Sequence, residues 1–469
     1  MHETEGVKNM NVPSNIFREY DIRGIADTEL NSSVVTMIGK AFGTYLREKG
    51  VAKVSIGGDV RFSTERIKQD MISGITFAGI NVFDIGTVTS PILYWSLFHL
   101  ELEGGVMITG SHNPKDMNGL KLAYGKTTLY GEEIQKILQM IQQDRSFEAE
   151  TPGTVTTMDI SSEYIEMLTS KIDLGPRKLK VAVDAGNGTA GIYIQEFLKN
   201  IGCKVFPLYC EPDGNFPNHH PDPIKRENLA DLIKEVKHRG ADLGIAFDGD
   251  SDRLGVVDEN GNVVWGDMLM ALYWREILPS NPGAVAIIEV KCSQALEDEI
   301  LKLGGKPYYY KAGHSLIKAK MKEMNSLFSG ELSGHMFFAD EFYGFDDAFY
   351  ASGRLLRILS NSTETLSEML SDVPVYYSTA EIRVDCPDDK KFDVIEKIKS
   401  DALKDHDAIT IDGVRIIYPQ GWGLVRASNT QPVLVTRCEG RSRKILETIT
   451  ADMKQRMLKA GLPDFEWTY

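Results

Sequence analysis

Three aspartates alternate along the segment DGDSDR, which follows the apolar run ADLGIAF. Asp248, Asp250 and Asp252 place three carboxylates on one short stretch, and such groups repel one another unless a cation lies between them. Oxygen ligands of this kind favour the hard cations Mg²⁺ and Ca²⁺. The segment therefore predicts a metal site, and Mg²⁺ is the expected ion because it commonly binds together with phosphate.

An EF-hand calcium loop is the alternative metal site. Glu259 stands at the twelfth position counted from Asp248, as such a loop requires. However, Arg253 occupies the position that requires glycine, and the flanking residues are typical of strands rather than helices. A solvated acidic turn without a metal is the other alternative.

A second stretch with chemically capable side chains is MITGSHNPKDMNGLK, which contains Ser111, His112, Lys115 and Lys121. A serine beside a histidine suggests a hydrolase. Adjacent residues rarely bring the imidazole onto the hydroxyl, however, and a G-x-S-x-G turn is absent from the sequence. A serine among small residues, with cations nearby, is better suited to carry a phosphoryl group. We expect His112 and Asn113 to orient this loop rather than to react.

Two basic clusters have the composition of phosphate sites. RASNTQP offers a guanidinium group, two hydroxyls and an amide from Arg426, Ser428, Asn429 and Thr430. FREYDIRG places Arg18 and Arg23 around Tyr20. For both arginines a surface salt bridge is the alternative role.

The segment GNGTAG, from Gly186 to Gly191, has the glycine spacing of a dinucleotide-binding turn, and Glu211 follows about 25 residues later. Taken alone it favours a nicotinamide- or flavin-dependent oxidoreductase. The equivalent turn GGDVRFS near the N-terminus is also rich in glycine, so these glycines more simply indicate a repeated strand-to-helix turn.

The elements that must position these loops follow a repeated plan. Strand–turn–helix patterns begin at Val51, Lys178 and Gly283, and each is followed by a second strand that ends in TGSHNP, DGDSDR or GELSGH. Open α/β sheets place their sites at such strand ends. We predict four domains: 1–155 and 156–260, both α/β, with the serine and aspartate loops; 261–373, α/β, with the GELSGH loop; and 374–469, a smaller α+β domain.

Composition limits the class of protein. The 469 residues are 42% hydrophobic and 25% charged, as in an ordinary globular protein, and carry a formal net charge of −15. That charge argues against nucleic acid or an anionic membrane as a partner. The first fifteen residues lack the apolar stretch of a secretory signal, and the five cysteines lack metal-type spacing. We expect a cytoplasmic protein with reduced thiols.

Eight segments in order along the chain closely resemble the α-D-phosphohexomutase family, in its phosphomannomutase/phosphoglucomutase branch: FREYDIRG, TGSHNPKDMNGLK, DGDSDR, EVKCSQ, KAGHSLIKAKM, GELSGHMFF, YGFDDA and RASNTQP. The resemblance implies four domains around a central cleft, three similar mixed α/β domains and a smaller C-terminal α+β domain. It also implies interconversion of hexose 1-phosphate and hexose 6-phosphate, for mannose and glucose. The reaction then runs through a phosphoserine and a hexose 1,6-bisphosphate, which is both intermediate and activator.

The resemblance assigns roles by position. Ser111 matches the phosphoserine, and Asp248, Asp250 and Asp252 match the ligands of one Mg²⁺ per chain, with an oxygen of the phosphorylated Ser111 as a further ligand. Lys121 and Arg23 match residues beside the transferring phosphate. Arg253 matches a residue that holds the aspartate loop and the phosphoryl group. His335 matches an acid/base histidine. Glu331 and Ser333 match contacts to sugar O3 and O4. The remaining substrate-binding positions are Tyr20, Lys291, His314, His335, Arg426, Ser428, Asn429 and Thr430.

Two alternatives remain within this resemblance. Glucosamine- and N-acetylglucosamine-phosphate mutases belong to the same superfamily but carry different sugar loops. A sugar-phosphate-binding protein without activity is the other possibility, and the retained Ser111, Lys121, His335 and three aspartates count against it. A monomer or weak homo-oligomer is expected.

Overall fold

The computed structural model describes residues 12–428 and 431–469, and these form two compact units. The first unit runs to Val88 and continues over Ile92–Ile160, and the second comprises Thr89–Pro91 and Ser161–Tyr469. The predicted boundaries at 260/261 and 373/374 lie within the second unit and stay predictions. In the described residues, no helix is both long and apolar enough to cross a membrane. The five cysteines are all free thiols.

A seven-stranded mixed sheet forms the centre of the first unit, with strand order β1-β5-β4-β2-β3-β7 and β6 beside β5. Strands β2, β3, β4 and β7 are parallel, whereas β1 and β5 run antiparallel to their neighbours. In chain order the elements are β1 (Ile22–Ile25), α1 (Ser32–Glu48), β2 (Lys53–Gly58), α2 (Thr64–Phe77), β3 (Asn81–Thr87), α3 (Ser90–His99), β4 (Gly104–Ile108), β5 (Met117–Tyr124), β6 (Thr127–Thr128), α4 (Glu132–Gln142) and β7 (Val155–Thr157).

The second unit begins with a five-stranded sheet of order β12-β11-β10-β8-β9. Strands β8, β9 and β10 are parallel. β8 and β10 are almost wholly buried, as expected for strands covered on both faces, whereas β9 lies at the edge of the sheet and is partly exposed. The elements are α5 (Ser161–Lys171), β8 (Lys180–Asp184), α6 (Ala190–Asn200), β9 (Lys204–Leu208), α7 (Ala230–Arg239), β10 (Leu243–Phe247), β11 (Leu254–Asp258) and β12 (Val263–Val264).

The next segment of the second unit contains two short sheets, the parallel pair β13-β14 and the antiparallel pair β15-β16. Buried aromatic rings, among them Tyr273, Trp274, Phe328 and Phe338, pack edge to face beside these strands. The elements are α8 (Gly266–Ile277), β13 (Val285–Glu289), α9 (Gln294–Lys302), β14 (Lys306–Tyr310), α10 (His314–Met324), β15 (Phe328–Gly330), β16 (Met336–Phe338), α11 (Ala348–Ser360) and α12 (Leu366–Met369).

An antiparallel sheet of order β17-β22-β21-β20-β19, with β18 beside β22, ends the second unit. Its apolar face packs against two helices around a core that includes Val414, Leu434 and Met453. The elements are β17 (Tyr377–Ser378), β18 (Ile382–Asp385), α13 (Lys391–Ala402), β19 (Ala408–Ile409), β20 (Val414–Tyr418), β21 (Gly421–Ala427), β22 (Val433–Gly440) and α14 (Arg443–Lys459).

The repeated plan predicted from the sequence is present. The three strand–turn–helix patterns are β2-α2, β8-α6 and β13-α9. The loops TGSHNP, DGDSDR and GELSGH follow β4, β10 and β15, and each connects that strand to an antiparallel neighbour, β5, β11 or β16. Each loop is therefore fixed at both ends by a strand pair.

Candidate active site

Ser111 is a buried residue at the head of the loop between β4 and β5, with a left-handed backbone of φ +47°. Its N–H donates to Thr109 Oγ1 at 2.8 Å, and its Oγ lies 3.1 Å from His112 Nδ1. The expectation that adjacent side chains would not meet is therefore wrong here. The left-handed turn at Ser111 alters the geometry between the neighbours, which the sequence alone did not indicate.

Lys121 and Arg23 come from neighbouring strands of the same unit. Lys121 lies buried on β5 opposite Met107, and Arg23 lies on β1 opposite Gly119. Arg23 forms an ion pair with Asp21 through Nη2. Its Nε is buried and has no hydrogen-bond partner in the described part of the chain, which leaves that donor available to a ligand.

The aspartate loop lies between β10 and β11, so strands flank it on both sides and the EF-hand alternative is wrong. Asp248, Asp250 and Asp252 are at most 2% exposed. One oxygen from each lies within 4.8 Å of the others, so a single cation can contact all three carboxylates. Buried carboxylates in this arrangement fit a divalent metal, because their mutual repulsion is relieved when one binds.

Two supports of the aspartate loop were not predicted. Ser90 is fully buried and donates from Oγ to Asp250 Oδ2 at 2.6 Å, and its N–H bonds the Asp250 carbonyl at 2.9 Å. The GNGTAG turn supports the loop from another side, where Thr189 N–H donates to the Gly249 carbonyl. A Cβ on Gly188 would lie 3.2 Å from the Gly249 Cα. The glycine spacing thus has a local packing cause that does not depend on a dinucleotide.

The GELSGH loop brings His335 to the aspartate loop. His335 Nδ1 lies 2.8 Å from Glu331 Oε2, and its Nε2 lies 3.2 Å from Asp252 Oδ1 and 3.4 Å from Arg253 Nε. Burial disfavours the charged imidazolium, but the charge of Asp252 and the hydrogen bonds to both carboxylates outweigh it and raise the pKa of His335 to about 9. Ser333 Oγ lies 3.2 Å from Nδ1 of the same ring.

Arg253 lies between the aspartate loop and the GELSGH loop. Its N–H donates to Asp248 Oδ1 at 3.2 Å, its Nε lies 3.9 Å from Asp248 Oδ2, and the residue forms a β-bridge with His335. Burial disfavours its charge, yet Asp248 and Asp252 raise the pKa of Arg253 further. This guanidinium therefore stays charged beside the acidic loop.

His314, the second predicted histidine, stacks on His335 with ring centroids 5.4 Å apart. Asp346 Oδ2 lies 3.3 Å from His314 Nδ1, and Lys318 Nζ lies 2.7 Å from Asp346 Oδ1. Burial lowers the pKa of His314. Asp346 and Lys318 belong to segments of the resemblance, YGFDDA and KAGHSLIKAKM, but sequence reasoning gave them no role.

Lys291 and the RASNTQP loop lie further along the second unit. Lys291 Nζ pairs with Glu289 at 3.1 Å and Glu381 at 3.6 Å.

Arg426 donates from Nε to Asp412 at 2.8 Å. Asp412 also accepts from the N–H of Ala312, two residues before His314.

The Ser428 carbonyl accepts from Lys391 Nζ at 2.7 Å, another contact that was not predicted. Asn429 and Thr430 lie outside the described residues.

Four domain families match consecutive parts of this chain. The phosphoglucomutase/phosphomannomutase α/β/α domains I, II and III match residues 14–148, 162–261 and 265–377, and the C-terminal domain matches residues 381–456. The chain belongs to the phosphoglucomutase/phosphomannomutase family.

Relatives and a solved structure agree with this family over nearly the whole chain. The phosphomannomutase/phosphoglucomutase of Pseudomonas putida is 44% identical over 449 residues, which are 96% of each chain. The phosphoglucomutase of Neisseria gonorrhoeae is 43% identical over 441 residues, covering 93% of this chain and 95% of the relative. A crystal structure of a phosphoglucomutase/phosphomannomutase family protein from Burkholderia thailandensis has a TM-score of 0.92 at 38% identity, covering 98% of this chain and 100% of its own.

Membership of the phosphoglucomutase/phosphomannomutase family confirms two predictions. The chain is an enzyme of the intramolecular phosphotransferase class, and its architecture is the predicted series of three mixed α/β domains and a C-terminal domain. The oxidoreductase alternative from GNGTAG is not supported, since all four families are of the mutase type.

Proposed function

We propose that the protein interconverts hexose 1-phosphates and hexose 6-phosphates, of mannose and glucose, through a phosphoserine and a hexose 1,6-bisphosphate. The observation that carries this proposal is the group formed by the three buried aspartates, Arg253 and the His335–Glu331 pair. Such a group combines ligands for a cation, a fixed positive charge and a proton-transfer residue. Relatives named phosphomannomutase/phosphoglucomutase support the substrate class.

Ser111 carries the phosphoryl group in this proposal. The bond from Ser111 Oγ to phosphorus breaks, a hydroxyl oxygen of the sugar phosphate forms the new bond, and the hydroxyl proton passes to a base. The resulting bisphosphate turns around and returns its other phosphate to Ser111 Oγ. Lys121 and Arg23 neutralise charge on the transferring group, a role that the burial of Lys121 and the available Arg23 Nε support.

Asp248, Asp250 and Asp252 hold one Mg²⁺, which neutralises phosphate oxygens when bound. Arg253 keeps the loop in place through Asp248. Its assigned role toward the phosphoryl group comes from the resemblance. His335 takes the proton of the sugar hydroxyl in its neutral form and returns it as the imidazolium in the reverse direction, and Glu331 fixes the ring through Nδ1.

The proposal assigns substrate contacts to four positions of the GELSGH and RASNTQP loops. Glu331 and Ser333 bind sugar O3 and O4, and Arg426 and Ser428 bind the phosphate that is not transferred. Glucose and mannose differ only at C2, so a site that contacts O3 and O4 discriminates weakly between them. Tyr20, Lys291, His314, Asn429 and Thr430 complete the proposed contacts.

The decisive assay measures conversion of mannose 1-phosphate and glucose 1-phosphate to the 6-phosphates, with Mg²⁺ and a trace of hexose 1,6-bisphosphate. We expect activity on both sugars, and loss of it in Ser111→Ala while the exposed control Ser33→Ala keeps it. Intact-mass measurement should detect a fraction of the protein about 80 Da heavier. Turnover that survives Ser111→Ala contradicts the phosphoserine mechanism. Preference for glucosamine 1-phosphate or N-acetylglucosamine 1-phosphate supports the alternative mutase, and turnover of none of these sugars supports a binding protein.

Two further expectations are part of the proposal. The protein acts in the cytoplasm, where its five free cysteines stay reduced. It is a monomer or weak homo-oligomer, which light scattering after gel filtration measures directly.

A further inference from the structure

Arg61, a residue without an assigned role, binds the backbone of the Ser111 loop through four carbonyls. It lies in the turn from β2 to α2, and its side chain is fully buried. Its Nη2 donates to the carbonyls of Ser111 at 2.8 Å and Asn113 at 2.6 Å. Its Nη1 donates to the carbonyls of Pro114 at 2.5 Å and Met117 at 3.0 Å. One planar group thus holds the loop from Ser111 to the start of β5.

Asp59 binds the same loop on the side that precedes Ser111. Its Oδ2 lies 3.2 Å from Arg61 Nε and accepts from Thr109 Oγ1 at 2.8 Å and Gly110 N–H at 3.1 Å. Thr109 Oγ1 in turn accepts from the Ser111 N–H at 2.8 Å. Both backbone polar groups of Ser111 therefore connect to the Asp59–Arg61 pair, its carbonyl directly and its N–H through Thr109.

This pair explains how Ser111 keeps an unfavourable backbone conformation. A left-handed backbone is unfavourable for a residue other than glycine, so surrounding contacts must hold it. Hydrogen bonds to a buried charged group are stronger than neutral ones. The hydrogen bonds from Arg61 to the four carbonyls, and the bond from Ser111 N–H to the Thr109 hydroxyl, supply such contacts on both sides of Ser111.

Gly110 provides an independent sign that the guanidinium is tightly fitted. A Cβ at this position would lie 2.5 Å from Arg61 Cζ and Nε. The φ of Gly110 is outside the left-handed region, so its backbone would otherwise accept alanine. The glycine is therefore needed for the close approach of Arg61, and not for a special turn.

We propose that Arg61 and Asp59 are positioning residues that fix Ser111 Oγ for phosphoryl transfer. The inference rests on the proposed function, since it takes Ser111 as the phosphoserine. Neither residue is assigned a substrate contact, so a loosened pair changes where the phosphoryl group is held rather than how the sugar phosphate binds. A displacement of about 1 Å can lower a transfer rate ~100-fold. The signature is a fall in kcat with KM little changed.

The first test compares Arg61→Lys with Arg66→Lys in the full-length enzyme with Mg²⁺. Lysine keeps the buried charge but cannot reach four carbonyls at once. Arg66 is a matched control in the same unit, because its guanidinium also donates to two backbone carbonyls, those of Ala26 and Leu30. We expect kcat to fall ~100-fold in Arg61→Lys, with KM within about threefold of wild type, and to stay near wild type in Arg66→Lys.

The second test uses Gly110→Ala, which keeps the charges of Arg61 and Asp59. It tests the inference even if Arg61→Lys fails to fold. The added methyl should displace the guanidinium and lower kcat as Arg61→Lys does. The double variant should lose much less than the product of the two single losses, because both changes act through one contact.

Three outcomes overturn the inference: a wild-type kcat in Gly110→Ala or in folded Arg61→Lys, independent multiplication of the two effects, or equal losses of kcat in the Arg61 and Arg66 variants. Wild-type enzyme without phosphate on Ser111 overturns the proposed function itself, and intact mass detects this before any variant is made.

Discussion

Ser90 shows how one buried hydroxyl can orient a carboxylate of the proposed metal site. Its Oγ donates to Asp250 Oδ2, and its N–H bonds the carbonyl of the same aspartate. A hydrogen bond of this kind fixes the orientation of the Asp250 carboxylate within its cluster with Asp248 and Asp252. In the proposed site, Ser90 thus orients a metal ligand without binding the metal.

Ser90→Ala should weaken Mg²⁺ binding about 10- to 100-fold, the usual effect of losing a partner of a metal ligand. Isothermal titration with Mg²⁺ measures the change, and activity should recover when Mg²⁺ is raised in proportion. Ser170→Ala is the control, because Ser170 is exposed and its hydroxyl donates to the Met167 carbonyl of its own helix. Unchanged Mg²⁺ affinity with lower activity would contradict the assignment.

The two stacked histidines differ in charge because their neighbours differ. His335 lies between the carboxylates of Glu331 and Asp252, which favour its protonated form over the cost of burial. His314 has one carboxylate neighbour, Asp346, which already pairs with Lys318, so burial prevails. The ring centroids are 5.4 Å apart, so two positively charged imidazolium rings would repel each other and protonation of both is disfavoured. Their arrangement therefore sets one charged and one neutral imidazole side by side.

At the scale of elements, α11 begins with an unusual cap. Asp347 accepts from Tyr350 N–H at 2.9 Å and from the Tyr164 hydroxyl of α5 at 2.8 Å, so it joins two helices of the second unit. Its carboxyl is 1% exposed, and burial raises the pKa of Asp347 to about 7 despite these donors. The start of α11 and its packing against α5 thus both depend on the Asp347 carboxyl, whose charged form is disfavoured by burial.

Replacement of Asp347 by asparagine should stabilise the protein above pH 7. The native state keeps the Asp347 proton up to about pH 7, whereas the unfolded chain releases it near pH 4, so stability falls as pH rises across this window and then levels off. Asparagine can still cap the helix and has no proton to lose. The gain should approach at most about 4 kcal/mol at pH 8 and vanish near pH 4.

Urea denaturation of wild type and Asp347→Asn at pH 4.5 and pH 8 tests this expectation. Asp340→Asn is a control that changes an ion pair of Arg354 instead, and it should destabilise the protein at pH 8. An Asp347→Asn difference that is the same at both pH values would show that the cap, and not its charge, determines the effect.

The sequence predicted these elements well where local pattern decides them. Strand–turn–helix order and the three loops followed from apolar runs and glycine turns, and the aspartate cluster followed from its spacing alone. Ser90, Arg61 and Lys391 were missed because their roles arise from distant contacts: Ser90 and Asp250 are 160 positions apart. The Ser111–His112 contact was misjudged because it depends on a left-handed φ, which serine rarely adopts.

At the scale of the molecule, two arginines join the C-terminal sheet to the loop that carries Lys291. Arg415 on β20 donates to the carbonyls of Val290 and Cys292, and Arg437 on β22 donates to the carbonyl of Lys291 itself. The Arg415 guanidinium lies 3.8 Å from the ring centroid of Trp422. Three consecutive carbonyls are thus fixed by one sheet, so the position of Lys291 depends on the C-terminal domain.

Arg415→Met should weaken substrate binding as well as stability. Methionine can fill the space beside Trp422 but leaves the Val290 and Cys292 carbonyls without their donors, at about 1–3 kcal/mol each. The freed segment lets Lys291 move, so KM for glucose 1-phosphate should rise severalfold more than kcat falls. Thermal unfolding and steady-state kinetics measure the two effects, and Arg239→Met, which removes an exposed pair with Glu235, is the control. A lower melting temperature with an unchanged KM would mean that the arginine only stabilises the domain and does not position Lys291.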